Sequence, residues 1–176
     1  IENVLKKDFF KKIDYSSKQI KNFLITKKIT TIIHAGAFTF PNESEKNKKK
    51  YYTNNIDKTL KFIKYCSKAK IKKFIFFSTS NVYSFDRKSM KSVTETAKTK
   101  PKNYYGYTKL YIEQFLKKNK FFQDLIILRI FNVAGFSDKF KYLEHKSRYR
   151  RIMSSLVTAI NKNKNINIFG NQTDKY

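Results

Sequence analysis

Tyr105 and Lys109 stand four residues apart in the segment Tyr104-Tyr-Gly-Tyr-Thr-Lys109. The segment opens a predicted helix, so the two side chains share one face. A lysine ammonium beside a phenol favours the phenolate, drawing a tyrosine pKa down from about 10 toward neutrality and making it a general base. In a chain with 12 tyrosines and 39 basic residues, the same spacing also describes an ordinary solvated pair. What sharpens it is the strand exit upstream, where Ser78, Thr79 and Ser80 offer hydroxyls able to hydrogen-bond the oxygen that a tyrosine deprotonates. Alone, those hydroxyls would read as a polar turn. Phenol, ammonium and hydroxyl together point to proton abstraction from a substrate alcohol.

These groups need a scaffold, and the pattern of the chain supplies one. Short apolar runs alternate with stretches of helical periodicity, which predicts an α/β fold with a parallel sheet covered by helices. The predicted strands are Phe9 to Ile13, Thr30 to Ile33, Phe74 to Ser78, Leu125 to Ile130 and Ile166 to Phe169. The predicted helices are Ser17 to Thr26, Tyr51 to Ala69, Tyr104 to Lys118 and Arg151 to Asn161. Ile56, Leu60 and Ile63 fall on one face of the second helix and should cover the sheet. The Lys-rich stretch Glu45 to Lys50 reads as a polar loop.

Doubly wound sheets bind ligands beyond the carboxyl ends of their strands. Four places lie there: Asp14-Tyr15, His34-Ala-Gly-Ala37, Ser78-Thr-Ser-Asn-Val-Tyr83 and Phe131-Asn-Val-Ala-Gly135. The small residues Ala35, Gly36 and Ala37 would let a flat ligand approach the backbone, or simply serve close packing. Asn55 could cap its helix and Asn132 could turn the chain.

The formal net charge of +26 favours anionic ligands and raises a nucleic-acid-binding module as a competing function. The basic residues are spread over the whole chain among Ile, Asn, Phe and Tyr, which fits a generally solvated cationic surface better than a dedicated binding face. Cys66 is the only cysteine, so no internal disulfide forms and a reducing compartment is permitted. No apolar run reaches the roughly 20 residues that span a bilayer, and the reading is cytoplasmic. His34 and His145 lie in no ligand-spaced cluster, so no metal is expected, and no Gly-x-x-x-x-Gly-Lys phosphate loop occurs.

Several motifs in fixed order resemble the extended short-chain dehydrogenase/reductases of the NAD-dependent epimerase/dehydratase family, and most of all their UDP-glucose 4-epimerase branch. They are Thr31-Ile-Ile-His-Ala-Gly-Ala37, Tyr51-Tyr-Thr-Asn-Asn-Ile56 with Thr59-Leu60, and Lys73-Phe-Ile-Phe-Phe-Ser-Thr-Ser-Asn-Val-Tyr83. Glu95, Pro101, Tyr105-Gly-Tyr-Thr-Lys109 and Glu113 follow, then Leu128-Arg-Ile-Phe-Asn-Val-Ala-Gly135 and Ile168-Phe-Gly170. The resemblance implies a Rossmann-type doubly wound parallel sheet and NAD as cofactor. It makes Tyr105 the base, Lys109 its cationic neighbour and the holder of the nicotinamide ribose, and Thr79 the hydroxyl partner.

By the same resemblance, Asp14 and Tyr15 lie by the adenine, and Ala35, Gly36, Ala37, Phe38, Thr39 and Asn55 line the dinucleotide. Ser78 sits near the nicotinamide and Phe131 packs against the cofactor. Asn81 and Asn132 face a nucleotide-diphosphate sugar, and a homodimer forms through the helices beginning near Tyr51 and Tyr104. The resemblance departs in the cation-rich segment Phe136 to Arg151, where Arg148, Arg150 or Arg151 could instead meet a diphosphate. Sister 4,6-dehydratases carry an Asp-Glu pair where this chain has Ser80-Asn81, so an elimination lacks its acid and base; a 4-keto-sugar reductase or a decarboxylase remains an alternative.

The whole of 1–176 then reads as a partial NAD-binding domain, with 136–176 leading into the substrate-binding region. The Gly-rich turn that holds the pyrophosphate would fall before Ile1, and the C-terminal substrate lobe after Tyr176. On that expectation the isolated stretch binds NAD poorly, is inactive, and exposes apolar sheet surface.

Overall fold

A computed structural model describes residues 12–84, 93–133 and 160–163. The chain divides into two compact units, 8–131 and a second comprising 1–7 with 132–176. In the first unit, strands β1 (Thr31–His34), β2 (Lys73–Thr79) and β3 (Asp124–Ile130) form a parallel sheet in the order β1-β2-β3. The register pairs Thr31 with Lys73, and places Ser78 opposite Arg129 and Thr79 opposite Ile130. All three strands therefore end at one edge, where a parallel α/β sheet collects its ligand-facing residues.

Helix α1 (Lys18–Thr26) precedes β1. Between β1 and β2 run α2 (Pro41–Lys46), α3 (Lys48–Tyr51), a π-helical turn (Tyr52–Asp57) and α4 (Lys58–Lys68); α5 (Tyr104–Asn119) joins β2 to β3. The core lies on one face of the sheet. Phe74 and Phe76 of β2 are covered by Ile20 and Leu24 of α1, Ile63 and Cys66 of α4, and Ile112 and Leu116 of α5. Burial pushes the Cys66 thiol up to about 12, so it is protonated and unreactive at neutral pH. On the opposite face, Ile33, Ile126 and Leu128 are exposed among the described residues, Ile33 by 63%.

The three strands, α1 and α5 fall within a residue or two of their predicted bounds, and the predicted helix Tyr51 to Ala69 is the π-helical turn and α4 together. One expectation is corrected: Glu45 to Lys50 is not a loop but belongs to α2 and α3. Pro41 occupies the first turn of α2, where its missing N–H costs nothing, and the buried Ser44 and Tyr51 anchor the two helices. Charge alone made the segment look like solvent. The predicted strand Phe9 to Ile13 lies largely outside the described residues, and its last two, Lys12 and Ile13, are not in a strand. The predicted strand Ile166 to Phe169 is outside them altogether; of the helix Arg151 to Asn161, only Ile160 and Asn161 are described, and both are helical.

Lys28, Lys70 and Lys120 each adopt a positive φ, between 46° and 58°, directly before β1, β2 and β3. This left-handed residue reverses the chain after a helix. The three turns sit at the amino ends of the strands, away from the edge that carries the candidate chemistry.

Candidate active site at the carboxyl ends of the strands

Strand β2 delivers Ser78 and Thr79, both buried, to the sheet edge and passes into a short 3-10 turn, Ser80–Val82. Above that turn starts α5. Its first three N–H groups have no partners within the helix, and each meets a side chain from a different position. Tyr104 N donates to Glu45 Oε1 (2.6 Å), Tyr105 N to Ser44 Oγ (2.9 Å) and Gly106 N to Asn103 Oδ1 (2.8 Å). Two of these acceptors lie on α2, so the crossover after β1 fixes where Tyr105 begins.

Thr79, Tyr105 and Lys109 converge on the end of β2: the Thr79 hydroxyl lies near enough to the Tyr105 phenol to favour its phenolate, and the Lys109 ammonium reaches the β2 backbone itself. Lys109 is 4% exposed; its Nζ donates to Phe77 O at 2.8 Å and lies 4.8 Å over the Phe76 ring. Burial pulls the Lys109 ammonium down to about 8, partly offset by the negative charge of Glu113. The expected lowering of the phenol is not found. Burial raises the Tyr105 pKa, with only the Thr79 hydroxyl opposing it, because the Lys109 ammonium is directed at a backbone carbonyl.

Two of the three asparagines expected at ligand surfaces, Asn81 and Asn55, have protein partners. Asn81 donates from Nδ2 to Thr79 Oγ1 (3.1 Å) and accepts from Asn103 Nδ2 (3.0 Å), joining the strand-end hydroxyl to the cap of α5. Asn55, in the π turn, accepts from Phe38 N (2.9 Å) and donates to Phe38 O (3.0 Å) and Thr108 Oγ1 (3.2 Å). One turn earlier, Tyr51 OH accepts from Phe40 N and donates to Phe40 O. Together they clamp the chain after β1, so Ala35, Gly36, Phe38 and Thr39 stay exposed with Ala37 half-buried on a fixed backbone. A Cβ on Gly36 would meet nothing nearer than 3.9 Å, so close packing does not demand glycine there.

Asp14 is exposed and accepts hydrogen bonds from Ser16 N (2.9 Å) and Ser16 Oγ (2.8 Å), which hold its carboxyl below the usual range. Tyr15 is half-buried, donates to Asn54 O (3.1 Å) and meets His34 edge-on at 5.4 Å. Phe131 is exposed at the end of β3 with its ring 6.4 Å from Tyr83, and Asn132 is exposed and belongs to the other unit. Arg148, Arg150, Arg151 and His145 are outside the described residues.

Sequence reasoning missed the supports: Ser44, Glu45 and Asn103 at the cap, and the ion pair of Glu113 with Arg129. The one legible signal was Glu113 four residues after Lys109, an acid on a helical face otherwise occupied by Tyr105, Ile112 and Leu116.

His34 ends β1, buried between Tyr15, Phe62 and Phe76, with Nε2 3.3 Å from Thr59 Oγ1. Burial, with Lys109 adding repulsion, lowers its pKa to about 4 from an ordinary 6.5. The unfolded chain therefore takes up this proton first as pH falls. The stabilisation is complete above pH 6.5 and is lost progressively toward pH 4, a loss of about 3 kcal/mol. Denaturant melts at pH 7 and pH 4.5 should show that loss, and His34→Gln should remove most of the pH dependence. An equal acid sensitivity in the variant would assign it to other groups.

Among the described residues no group of three or more His, Cys, Asp or Glu could hold a metal ion, and no helix is long and apolar enough to cross a membrane. A parallel α/β sheet with Tyr, Lys and a hydroxyl residue gathered at its carboxyl edge defines a Rossmann-type domain of the kind used by dehydrogenases and epimerases. The model of the NAD dependent epimerase/dehydratase family matches residues 2–176, and the chain belongs to that family.

Among curated relatives, the chain is 32% identical over 167 residues to UDP-glucose 4-epimerase of Dictyostelium discoideum, covering 89% of this chain and 46% of that protein. It is similar to the solved structure of UDP-N-acetylglucosamine 4-epimerase from Methanobrevibacter ruminantium M1 in complex with UDP-N-acetylmuramic acid. There the TM-score is 0.74 at 27% identity, with 92% of this chain and 50% of that one covered. UDP-glucuronic acid 4-epimerase from Bacillus cereus, in complex with UDP-glucuronic acid and NAD, gives a TM-score of 0.69 at 30% identity, covering 92% and 48%. The chain spans about half the length of the curated relatives it matches.

Proposed function

We propose that the protein is an NAD-dependent nucleotide-sugar 4-epimerase that interconverts UDP-glucose and UDP-galactose. The observation that carries this reading is the buried group of Thr79, Tyr105 and Lys109 at one sheet edge, in a chain of this family. The residues fit the nicotinamide end of a dinucleotide. Lys109 spends only one donor on Phe77 O, leaving N–H groups for ribose hydroxyls, and the exposed backbone after β1 gives a flat ligand a rigid floor. Bound there, NAD supplies the hydride acceptor.

Tyr105 would accept the proton of the sugar 4-hydroxyl while Thr79 held the same oxygen, with NAD as the acceptor of the carbon-4 hydrogen. After the 4-keto sugar had turned its other face, Tyr105 would give the proton back as the hydrogen returned from NAD to carbon 4, with no net oxidation. Lys109, one helical turn from Tyr105, would favour the phenolate. The protein contributes orientation, the base and exclusion of water.

The test is a proton NMR time course of UDP-galactose with the protein expressed from its complete reading frame. Appearance of UDP-glucose is expected. If protein shown to be folded and to carry NAD leaves UDP-galactose unchanged, the UDP-galactose assignment fails and another 4-hydroxy or 4-keto nucleotide sugar is the substrate to seek.

The reading extends to a homodimer. Along α5, Tyr104 stacks on Tyr107 at 5.5 Å and Tyr107 meets Tyr111 tilted at 6.4 Å; Tyr107, Tyr111 and Tyr52 of the π turn are exposed. A second copy fits this aromatic stripe better than solvent does. Sedimentation should return twice the chain mass, and a monomer at micromolar concentration would exclude the dimer.

A further inference from the structure

We propose that Glu113 is a positioning residue: its buried carboxylate, clamped by Arg129, fixes the Ser78 hydroxyl at the end of β2 and supplies the counter-charge for Lys109 one helical turn away. The proposal rests on the reading above only for its kinetic consequence.

Glu113 is 1% exposed in the middle of α5. A carboxylate there is costly unless every oxygen is satisfied. Oε1 accepts from Ser78 Oγ and from Arg129 Nε at 3.1 Å; Oε2 accepts from Arg129 Nε (3.1 Å) and Nη2 (2.7 Å). The guanidinium is itself held, with Nη1 donating to Tyr83 OH (2.8 Å) and Glu95 O (3.0 Å) and the group lying 4.8 Å over the Tyr83 ring. The hydrogen bond to Glu113 raises the Arg129 pKa, so the guanidinium stays charged.

Two well-packed apolar residues would serve stability as well as a buried ion pair. What they would not do is hold a serine hydroxyl beside the reacting edge or bear on an ammonium. Among the described residues, the charged and titratable groups near Lys109 on the elements packed there are Glu113 and, one turn back, Tyr105 on its own helix, His34 on β1, and Arg129 on β3, which pairs with Glu113. His34 is neutral at pH 7, and the charge that bears on the ammonium is that of Glu113. Glu113 is thus what keeps a proton on Lys109 against burial, which has already brought it to about 8. Without it, Lys109 would face an unpaired guanidinium as well.

The test is an NMR titration of the protein carrying carbon-13 at lysine Cε, with the Lys109 signal assigned by its loss in Lys109→Arg. In Glu113→Gln the Lys109 midpoint should move down by about 1 pH unit or more. An unchanged midpoint in folded Glu113→Gln overturns the proposal. If that variant does not fold, Glu113→Asp is read instead, and its shorter carboxylate should move the midpoint in the same direction. Failure of both to fold also overturns it, since the carboxylate would then serve the fold alone. The alkaline limb of kcat should move with the Lys109 midpoint while KM stays unchanged. Loss of that kinetic match with the NMR shift intact would count against the epimerase reading, not against the role of Glu113.

Discussion

Tyr105→Phe is expected to lower the rate of UDP-galactose turnover by about 100- to 10,000-fold, the usual contribution of a positioned general base. It should leave the fold nearly unchanged. The ring is buried and stays so in phenylalanine, and what is lost is one phenol hydroxyl beside Thr79, a change of about 1 kcal/mol. KM should shift little, because the phenol matters most as charge develops on the sugar oxygen. The measurement is the NMR time course with wild type and variant at matched NAD content. Retention of wild-type turnover would remove Tyr105 as the base. It would also revive the competing view of a cationic binding module, whose polyanion affinity should fall steeply with salt and ignore this substitution.

The candidate residues and those that hold them in place were unequally legible. Tyr105, Lys109 and Thr79 stood out in the sequence because their order and spacing have a chemical reason. The parallel strands were legible for a similar cause: sheets covered by helices leave short apolar runs that solvated loops do not. Asn55 and Asn81 were legible only as positions. Their amides were expected to face ligand, and in the structure they bind Phe38, Thr79 and Asn103, since an amide's polarity says nothing about which neighbour meets it.

The supports of α5 were invisible for a different reason. Ser44 and Glu45 cap a helix that begins about 60 residues later, a long-range contact that no local pattern encodes. Their own segment was mistaken for a loop because its lysines masked two buried anchors. The phenol pKa was misjudged in direction because burial, which a sequence does not report, outweighs the nearby charge.

Gly106 lets propensity and packing be set against each other. Glycine inside a helix costs about 1 kcal/mol relative to alanine, so propensity alone predicts that Gly106→Ala stabilises the protein. The structure predicts the opposite. A Cβ on Gly106 would stand 2.3 Å from Asn81 O and 3.0 Å from Asn81 C, with Pro101 Cβ at 3.2 Å. The first two are backbone atoms of the turn that carries Thr79 toward Tyr105, and they cannot swing aside as a flexible side chain could. Either α5 or the turn must move, straining the hydrogen bonds that Gly106 N donates to Asn103 Oδ1 and that Asn103 Nδ2 donates to Asn81 Oδ1. The expected cost is about 3 kcal/mol, which outweighs the propensity gain and lowers Tm by roughly 10 °C. A displacement of about 1 Å between Tyr105 and Thr79 should also cost on the order of 100-fold in turnover. Thermal melts of Gly106→Ala decide the matter: a higher Tm with activity intact would mean that α5 does not approach the Asn81 turn this closely, and that the contact between strand-end hydroxyl and phenol is set some other way.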